Sequence, residues 1–280
     1  MTITVIIQAR MGSSRLPKKI LKKINGEPIL YHVIKQTKKA KLVDDIIIAT
    51  TNLEEDNEIL DYCKSKKIKC YRGSSTDLLD RYYKCAKKFN VNIIVRITSD
   101  CPLIDPDVID KIIKKFLENK FDYVSNNIDK KNKKWINSTC NFPQGMTVEV
   151  SNFKNIEKAW KKAKKPSERE HVFPYIQFNS EFSKFSIKSK EKLDFIRCTI
   201  DRKEDLNFIK KIMKGYSKNK IMHIKDIKKN IKKNPELLNI NKKIPFDEGY
   251  VKSIDEDKNE DFLKMNKKIL IYVNGNKEIG

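Results

Sequence analysis

No apolar run in this 280-residue chain approaches the ~18 residues that cross a bilayer. The start also lacks the basic region and long apolar stretch of a secretory signal. Both absences predict a soluble cytoplasmic protein with no membrane insertion. Histidine is scarce: His32, His171 and His223 are too few and too dispersed for a zinc site. Cys63, Cys70, Cys85, Cys101, Cys140 and Cys198 form no C-x-x-C and no paired spacing. They read as reduced, mostly buried thiols rather than a disulfide framework. There is no internal repeat and no Gly/Ser linker.

Arginine is the most informative scarcity. Lys and Arg total 60 against 37 Asp and Glu, a formal charge of +23, yet only eight of the 60 are arginine. The lysines are scattered over many segments and seldom alternate with the aromatics a single-strand binder stacks on. This pattern fits compositional drift and predicts no specific nucleic-acid partner. Where a point charge suffices, the chain uses Lys. Arg10, Arg15, Arg72, Arg81, Arg96, Arg169, Arg197 and Arg202 therefore mark positions where a planar, multi-donor fork matters.

Short β-branched runs alternate with amphipathic stretches through the first two-thirds. Strands are expected at 2–8, 44–51, 68–73 and 91–98, and helices at 28–40, 54–66, 77–89 and 105–119. That rhythm predicts an α/β, Rossmann-like fold with a mostly parallel central sheet and helices on both faces. In such sheets, ligands bind beyond the carboxyl ends of the strands. After residue 120 a long polar loop (130–145) precedes a strand at 146–150 and a helix at 153–164. A further helix with Ser167 as its N-cap, strands at 184–189 and 195–200, and a helix at 204–213 follow. Residues 1–220 read as one catalytic domain, with a lobe at about 125–190. Residues 221–280 read as a Lys-rich extension.

The stretch "QARMGSSRLPKK" (8–19) leaves the first strand as a loop before a helix, a place where phosphates bind through backbone N–H groups and a helix terminus. It contains neither G-x-x-x-x-G-K-[ST] nor G-x-G-x-x-G. Its charge instead suits an anion with several negative charges, and a nucleoside triphosphate fits. Asp100 and Asp201 each follow an expected strand. Far apart in sequence, the two could converge on one crevice as oxygen ligands for a metal.

"IIQARMGSSRLPKKIL" resembles the N-terminal signature of the sugar cytidylyltransferases, A-R-x-x-S-[ST]-R-L-P-G-K. The nearest branch is the spore-coat-polysaccharide type, related to enzymes that activate 3-deoxy-manno-octulosonate and acylneuraminates. "RGSSTDLLDRYYKCAKKF", "IVRITSDCPLIDP", "FPQGMTVEV", "EREHVFPYI", "TIDRKEDL" and "NPELLNINKKIPFDEGYVKS" extend the resemblance over nearly the whole chain, in the expected order.

The resemblance implies Mg²⁺-dependent transfer of CMP from CTP to a sugar, in particular a sugar acid, with pyrophosphate released, for surface-glycan synthesis by a homodimer. It assigns Gln8, Ala9, Arg10, Ser13, Arg15 and Lys19 to the triphosphate, with Asp77, Arg81 and Arg96 near the nucleotide. Arg10, Lys19 and Asp100 would be catalytic, and Asp100 and Asp201 would hold the metal. Gln144, Glu149, Arg169 and His171 would face the acceptor, Arg169 taking its carboxylate. Lys18 replaces the family glycine, Thr147 an aspartate, and Arg202-Lys203 the commoner Thr-Pro. Rival readings are a nucleotidyltransferase using another NTP, a glycosyltransferase of the same fold and a basic nucleic-acid binder.

Overall fold

In the computed structural model, residues 1–127, 140–245 and 248–257 are described. Residues 130–139 of the polar loop and the tail from 258 lie outside them.

The first run forms β1 (Ile3–Gln8). Val5 and Ile7 pack into one core and Ile6 into another on the opposite face, as strand alternation requires. A two-rung hairpin, β2 (Lys23–Ile24) with β3 (Glu27–Pro28), leads into α1 (Ile29–Thr37). Then come β4 (Asp45–Thr51), α2 (Asn57–Ser65), β5 (Lys69–Gly73), α3 (Leu78–Lys88), β6 (Ile93–Thr98) and α4 (Pro106–Glu118). Asp77 caps α3 through the Asp80 N–H, and Asp105 caps α4 through the Asp107 N–H, with Pro106 in the first turn.

The chain continues through β7 (Tyr123–Ser125), β8 (Glu149–Asn152), α5 (Phe153–Lys162), α6 (Pro166–His171), α7 (Pro174–Phe178) and β9 (Lys184–Ser186). Then follow α8 (Lys203–Ile212), α9 (Ile224–Lys233) and α10 (Glu248–Asp255).

The seven-stranded sheet has the order β5-β4-β1-β6-β8-β7-β9. Among the described strands of this sheet, only β8 runs antiparallel to its neighbours. Helices α1, α2, α4, α8 and α9 cover one face through residues such as Val33, Ile59, Ile109, Phe208 and Ile227. Helices α3, α5 and α7 cover the other through Leu79, Tyr82, Ile156 and Ile176. The α/β sheet with helices on both faces is therefore present. From β1 the chain steps outward to β4 and β5, then returns to place β6 on β1's other side. The strand order reverses there, so the crevice opens between the ends of β1 and β6. Gln8 and Thr98 are register partners at that end.

Three local expectations need correction. Residues 195–200 do not form a strand of the sheet: they make a single parallel bridge, Arg197 to Gln144. Ser167 lies inside α6, because Pro166 already occupies its first turn and Lys165 is the N-cap. β8 begins at Glu149, not 146. Beyond α8, Asp105 accepts from Ile224 N at 2.7 Å and lies 3.0 Å from His223 Nδ1. One carboxylate thus caps α4 and ties α9 to it.

Candidate active site

The loop after β1 folds around Met11. The Met11 carbonyl accepts from Ser13 N at 2.8 Å and Lys18 N at 3.2 Å, while Met11 N donates to Asp56 Oδ1 at 2.7 Å. Asp56 is fully buried. Its other oxygen takes Thr51 N at 3.2 Å and the Thr51 hydroxyl. Met11 and Leu16 are buried and Ser13 is half-buried, whereas Arg10, Gly12 and Arg15 stay exposed. Lys18 keeps the left-handed backbone that favours glycine, φ 54°, a conformation costing a non-glycine residue about 1–2 kcal/mol. Its side chain points outward to Glu58, 2.5 Å away. The turn therefore survives the missing glycine, and Lys19 enters the crevice.

Lys19 Nζ lies 2.7 Å from Asp100 Oδ2, 3.0 Å from Asp201 Oδ1 and 2.9 Å from the Ile200 carbonyl. The two acids, 101 positions apart in sequence, thus meet at one cation. Asp100 sits in the turn after β6. Asp201 precedes α8 and is held beside Asp100 by Ile200 N donating to the Asp100 carbonyl at 2.9 Å. Burial alone would push the Lys19 ammonium down, but Asp100 and Asp201 outweigh it and raise its pKa. Burial would likewise raise the Asp201 carboxyl; Lys19, Arg197 and Arg15 hold it well below the usual range. Asp201 therefore stays ionised in this setting. Two carboxylates and a backbone carbonyl are the hard oxygen donors a divalent cation of the Mg²⁺ type takes, so the donor chemistry fits such an ion; here the Lys19 ammonium occupies the point they share.

Asp201 is braced from behind. Arg197 NH2 donates to Asp201 Oδ2 at 2.8 Å, Arg197 Nε to Asp205 Oδ1 at 2.9 Å, and Arg197 NH1 to Gln144 Oε1 at 3.1 Å. Asp205 is fully buried and also accepts from Asp201 N and Arg202 N. The segment reaches this position because Gly145 allows close contact: a Cβ there would lie 2.7 Å from Thr199 N, and its φ is +88°.

A cavity of about 270 Å³ opens beside the acids. Gln8, Arg15, Arg96, Asp100, Gln144, His171 and Asp201 of the expected set line it, together with Thr147. Arg96 is committed beneath it. Its Nε donates to Gln8 Oε1 at 2.9 Å and its NH1 pairs with Glu149. Glu149 is fully buried and outside the lining; it also accepts from the Tyr123 hydroxyl at 2.7 Å and Gln177 at 3.2 Å. The His171 pKa is pushed down to about 3 by burial first and the Arg96 charge second, and its Nε2 lies 2.6 Å from the Ser253 hydroxyl.

Asp77, Arg81 and Arg169 are not brought to the cavity. Asp77 pairs with Arg169 through both Nε and NH2, and Arg169 NH1 donates to the Trp160 carbonyl at 2.7 Å. The fork expected to meet a substrate carboxylate is occupied by this chain's own. Arg81 is buried, its Nε donating to the Ser74 carbonyl at 2.8 Å. Ala9 is buried beside β4, its N–H on the Ala49 carbonyl at 3.1 Å.

Sequence reasoning gave no site role to Arg197, Asp205, Asp56 or the α10 residues Glu248 and Tyr250. The scarcity of arginine pointed to Arg197, and an acid four positions after Asp201 pointed to Asp205. The stretch 234–253 carries part of the resemblance, but no periodicity in it signalled that residues near 250 would wall a cavity at β6.

A switch-point crevice with a basic loop on one side and paired carboxylates on the other suits a nucleotidyltransferase. The profile of the cytidylyltransferase family matches residues 4–244, and the chain belongs to that family. It is 40% identical over 247 residues to an uncharacterised protein of Methanocaldococcus jannaschii, covering 87% of this chain and 96% of that one. It is 31% identical to the spore coat polysaccharide biosynthesis protein SpsF of Bacillus subtilis, covering 74% and 85%. The solved structure of a cytidylyltransferase from Leptospira borgpetersenii is similar with a TM-score of 0.77 and 32% identity, covering 85% of this chain and 97% of that one.

Proposed function

We propose that this enzyme transfers CMP from CTP to a sugar, with Mg²⁺ held by Asp100 and Asp201 and pyrophosphate released, in the building of a surface polysaccharide. The observation that carries the reading is the meeting of both acids at Lys19 Nζ beside the loop of Arg10, Ser13 and Arg15. Bound there, Mg²⁺ would neutralise phosphate charge and lower the barrier to loss of pyrophosphate. Arg10 and Arg15 bind the β- and γ-oxygens. Lys19 gives its ammonium to the bridging oxygen on which charge builds as the α-phosphorus bond breaks. A sugar hydroxyl attacks from the cavity, where the Gln144 amide and the Thr147 and Thr199 hydroxyls offer hydrogen bonds to a polyol and hold it in line.

A sugar acid is the acceptor class to try first, although Arg169 is ion-paired to Asp77. Kinship with SpsF supports the polysaccharide role. The same reading has the enzyme work as a homodimer through about 140–180 in the cytoplasm, where its six free thiols stay reduced.

The test is pyrophosphate release measured with CTP, UTP, GTP and ATP against a panel of sugars and sugar acids. Turnover should favour CTP and require Mg²⁺. Asp100→Asn and Asp201→Asn should each cut it by about 10²-fold or more in proteins that still fold. Equal use of all four nucleotides, or full activity in both variants, defeats the reading.

A further inference from the structure

Glu248 opens α10 and lines the same cavity as Asp100 and Asp201. Its Oε2 is 3.6 Å from Arg15 Nε and its Oε1 is 2.7 Å from Arg202 NH2. Arg15 in turn reaches Asp201 Oδ1 at 3.1 Å. A carboxylate carried by the C-terminal helix therefore sits against an arginine of the anion loop.

The helix is fixed independently of that contact. Asp257 accepts from Ser167 N at 3.0 Å and Ser167 Oγ at 2.5 Å. Ser253 Oγ lies 2.6 Å from His171 Nε2, and the Tyr250 ring meets the His171 ring edge-on at 4.7 Å. These contacts clamp α10 to α6, so Glu248 is delivered to Arg15 by the fold. Glu248 lies four residues past the end of the matched family profile at 244, within the stretch "NPELLNINKKIPFDEGYVKS" that carries the resemblance.

We propose that Glu248 is a positioning residue that competes with the triphosphate of CTP for Arg15 and so sets nucleotide affinity. The proposal rests on the nucleotidyltransferase reading above. A guanidinium bound to a phosphate and a carboxylate at once brings two anions close together, and their repulsion is charged against the ligand. The Arg15 and Glu248 side chains are 36% and 26% exposed, so screening limits the effect to about two- to five-fold in Kd.

Calorimetric titration of the full chain with CTP and Mg²⁺ tests it in wild type, Glu248→Gln, Arg15→Gln and the double variant. Glu248→Gln should bind about two- to five-fold tighter than wild type, and Glu248→Ala should reproduce the gain. The gain should vanish in the Arg15→Gln background and shrink at about 0.5 M salt. Equal or weaker binding by Glu248→Gln, or a gain that persists without Arg15, overturns the proposal. No Mg²⁺-dependent CTP binding by wild type brings down both this proposal and the nucleotidyltransferase reading. Firm wild-type binding with no response to Glu248→Gln removes the competition alone.

Discussion

Most of the arginines in this chain are committed to specific partners. Arg197 uses three nitrogens on Asp201, Asp205 and Gln144. Arg72 ties Thr51, Leu53 and Asn57 together, bracing the turn that carries Asp56 to Met11. Arg96 has the most at stake: it is 8% exposed and its partner Glu149 is 0% exposed. Burial alone would lower its pKa, and Glu149 more than restores it. Removing one member of such a pair strands a buried charge and costs about 3–5 kcal/mol. Glu149→Gln should therefore lower the melting temperature by roughly 10 °C, measured by calorimetry at neutral pH. Replacing both residues by apolar ones should recover most of the loss. A melting point unchanged by Glu149→Gln would mean the pair contributes nothing to stability.

At the scale of elements, the clamp between α6 and α10 makes stability depend on pH. His171 is held neutral in the fold with its pKa down at about 3, against about 6.5 in an unfolded chain. Below pH 6.5 the unfolded state takes up a proton that the folded state refuses. Stability from this group is thus fully present above about 6.5 and lost as pH falls toward 3. The slope approaches about 1.4 kcal/mol per pH unit. His171→Gln keeps a partner for Ser253 and does not titrate. Urea unfolding at pH 7 and pH 5 should show wild type losing about 1–2 kcal/mol more than the variant; equal losses would place His171 in a wetter setting. Because His32 is also driven down by burial and is common to both proteins, the difference isolates the clamp.

The elements also show where local pattern stops being informative. β1, β4 and β6 were legible because continuous Ile/Val runs fit strands buried on both faces. The run at 195–200 carries the same pattern, yet its only sheet-like contact is the bridge at Gln144, and sequence alone does not distinguish an extended segment from a paired strand. Asp100 and Asp201 were legible because motif and position agreed. Arg169 was legible as a fork seeking a carboxylate, but Asp77, its partner 92 positions away, is set by the packing of α3 against α6. Glu248 lay beyond every periodic signal.

At the scale of the molecule, the formal charge of +23 raises the question of whether polyanions compete for the site. The crossover helices supply part of the answer. α1, α2, α3 and α4 carry Lys35, Lys64, Lys87 with Lys88, and Lys115 in their last turns, where cations complement the helix dipole. Each helix connects parallel strands and so runs back against them. Its C-terminus lies at the sheet edge remote from the carboxyl ends of β1 and β6, where the crevice opens. At the crevice, Lys19, Arg15 and Arg197 are matched by Asp100, Asp201, Asp205 and Glu248. The five lysines at these helix ends therefore lie away from the acids. A single-stranded oligonucleotide should bind at low ionic strength, and that binding should collapse steeply by physiological salt. Saturating oligonucleotide should shift CTP affinity by less than about two-fold at that salt, since exposed charges more than a Debye length of about 8 Å apart are largely screened. Fluorescence anisotropy of a labelled oligonucleotide, followed by CTP titration of the complex, checks both. Tight binding that survives physiological salt and excludes CTP would mean that the basic surface and the crevice are one continuous site.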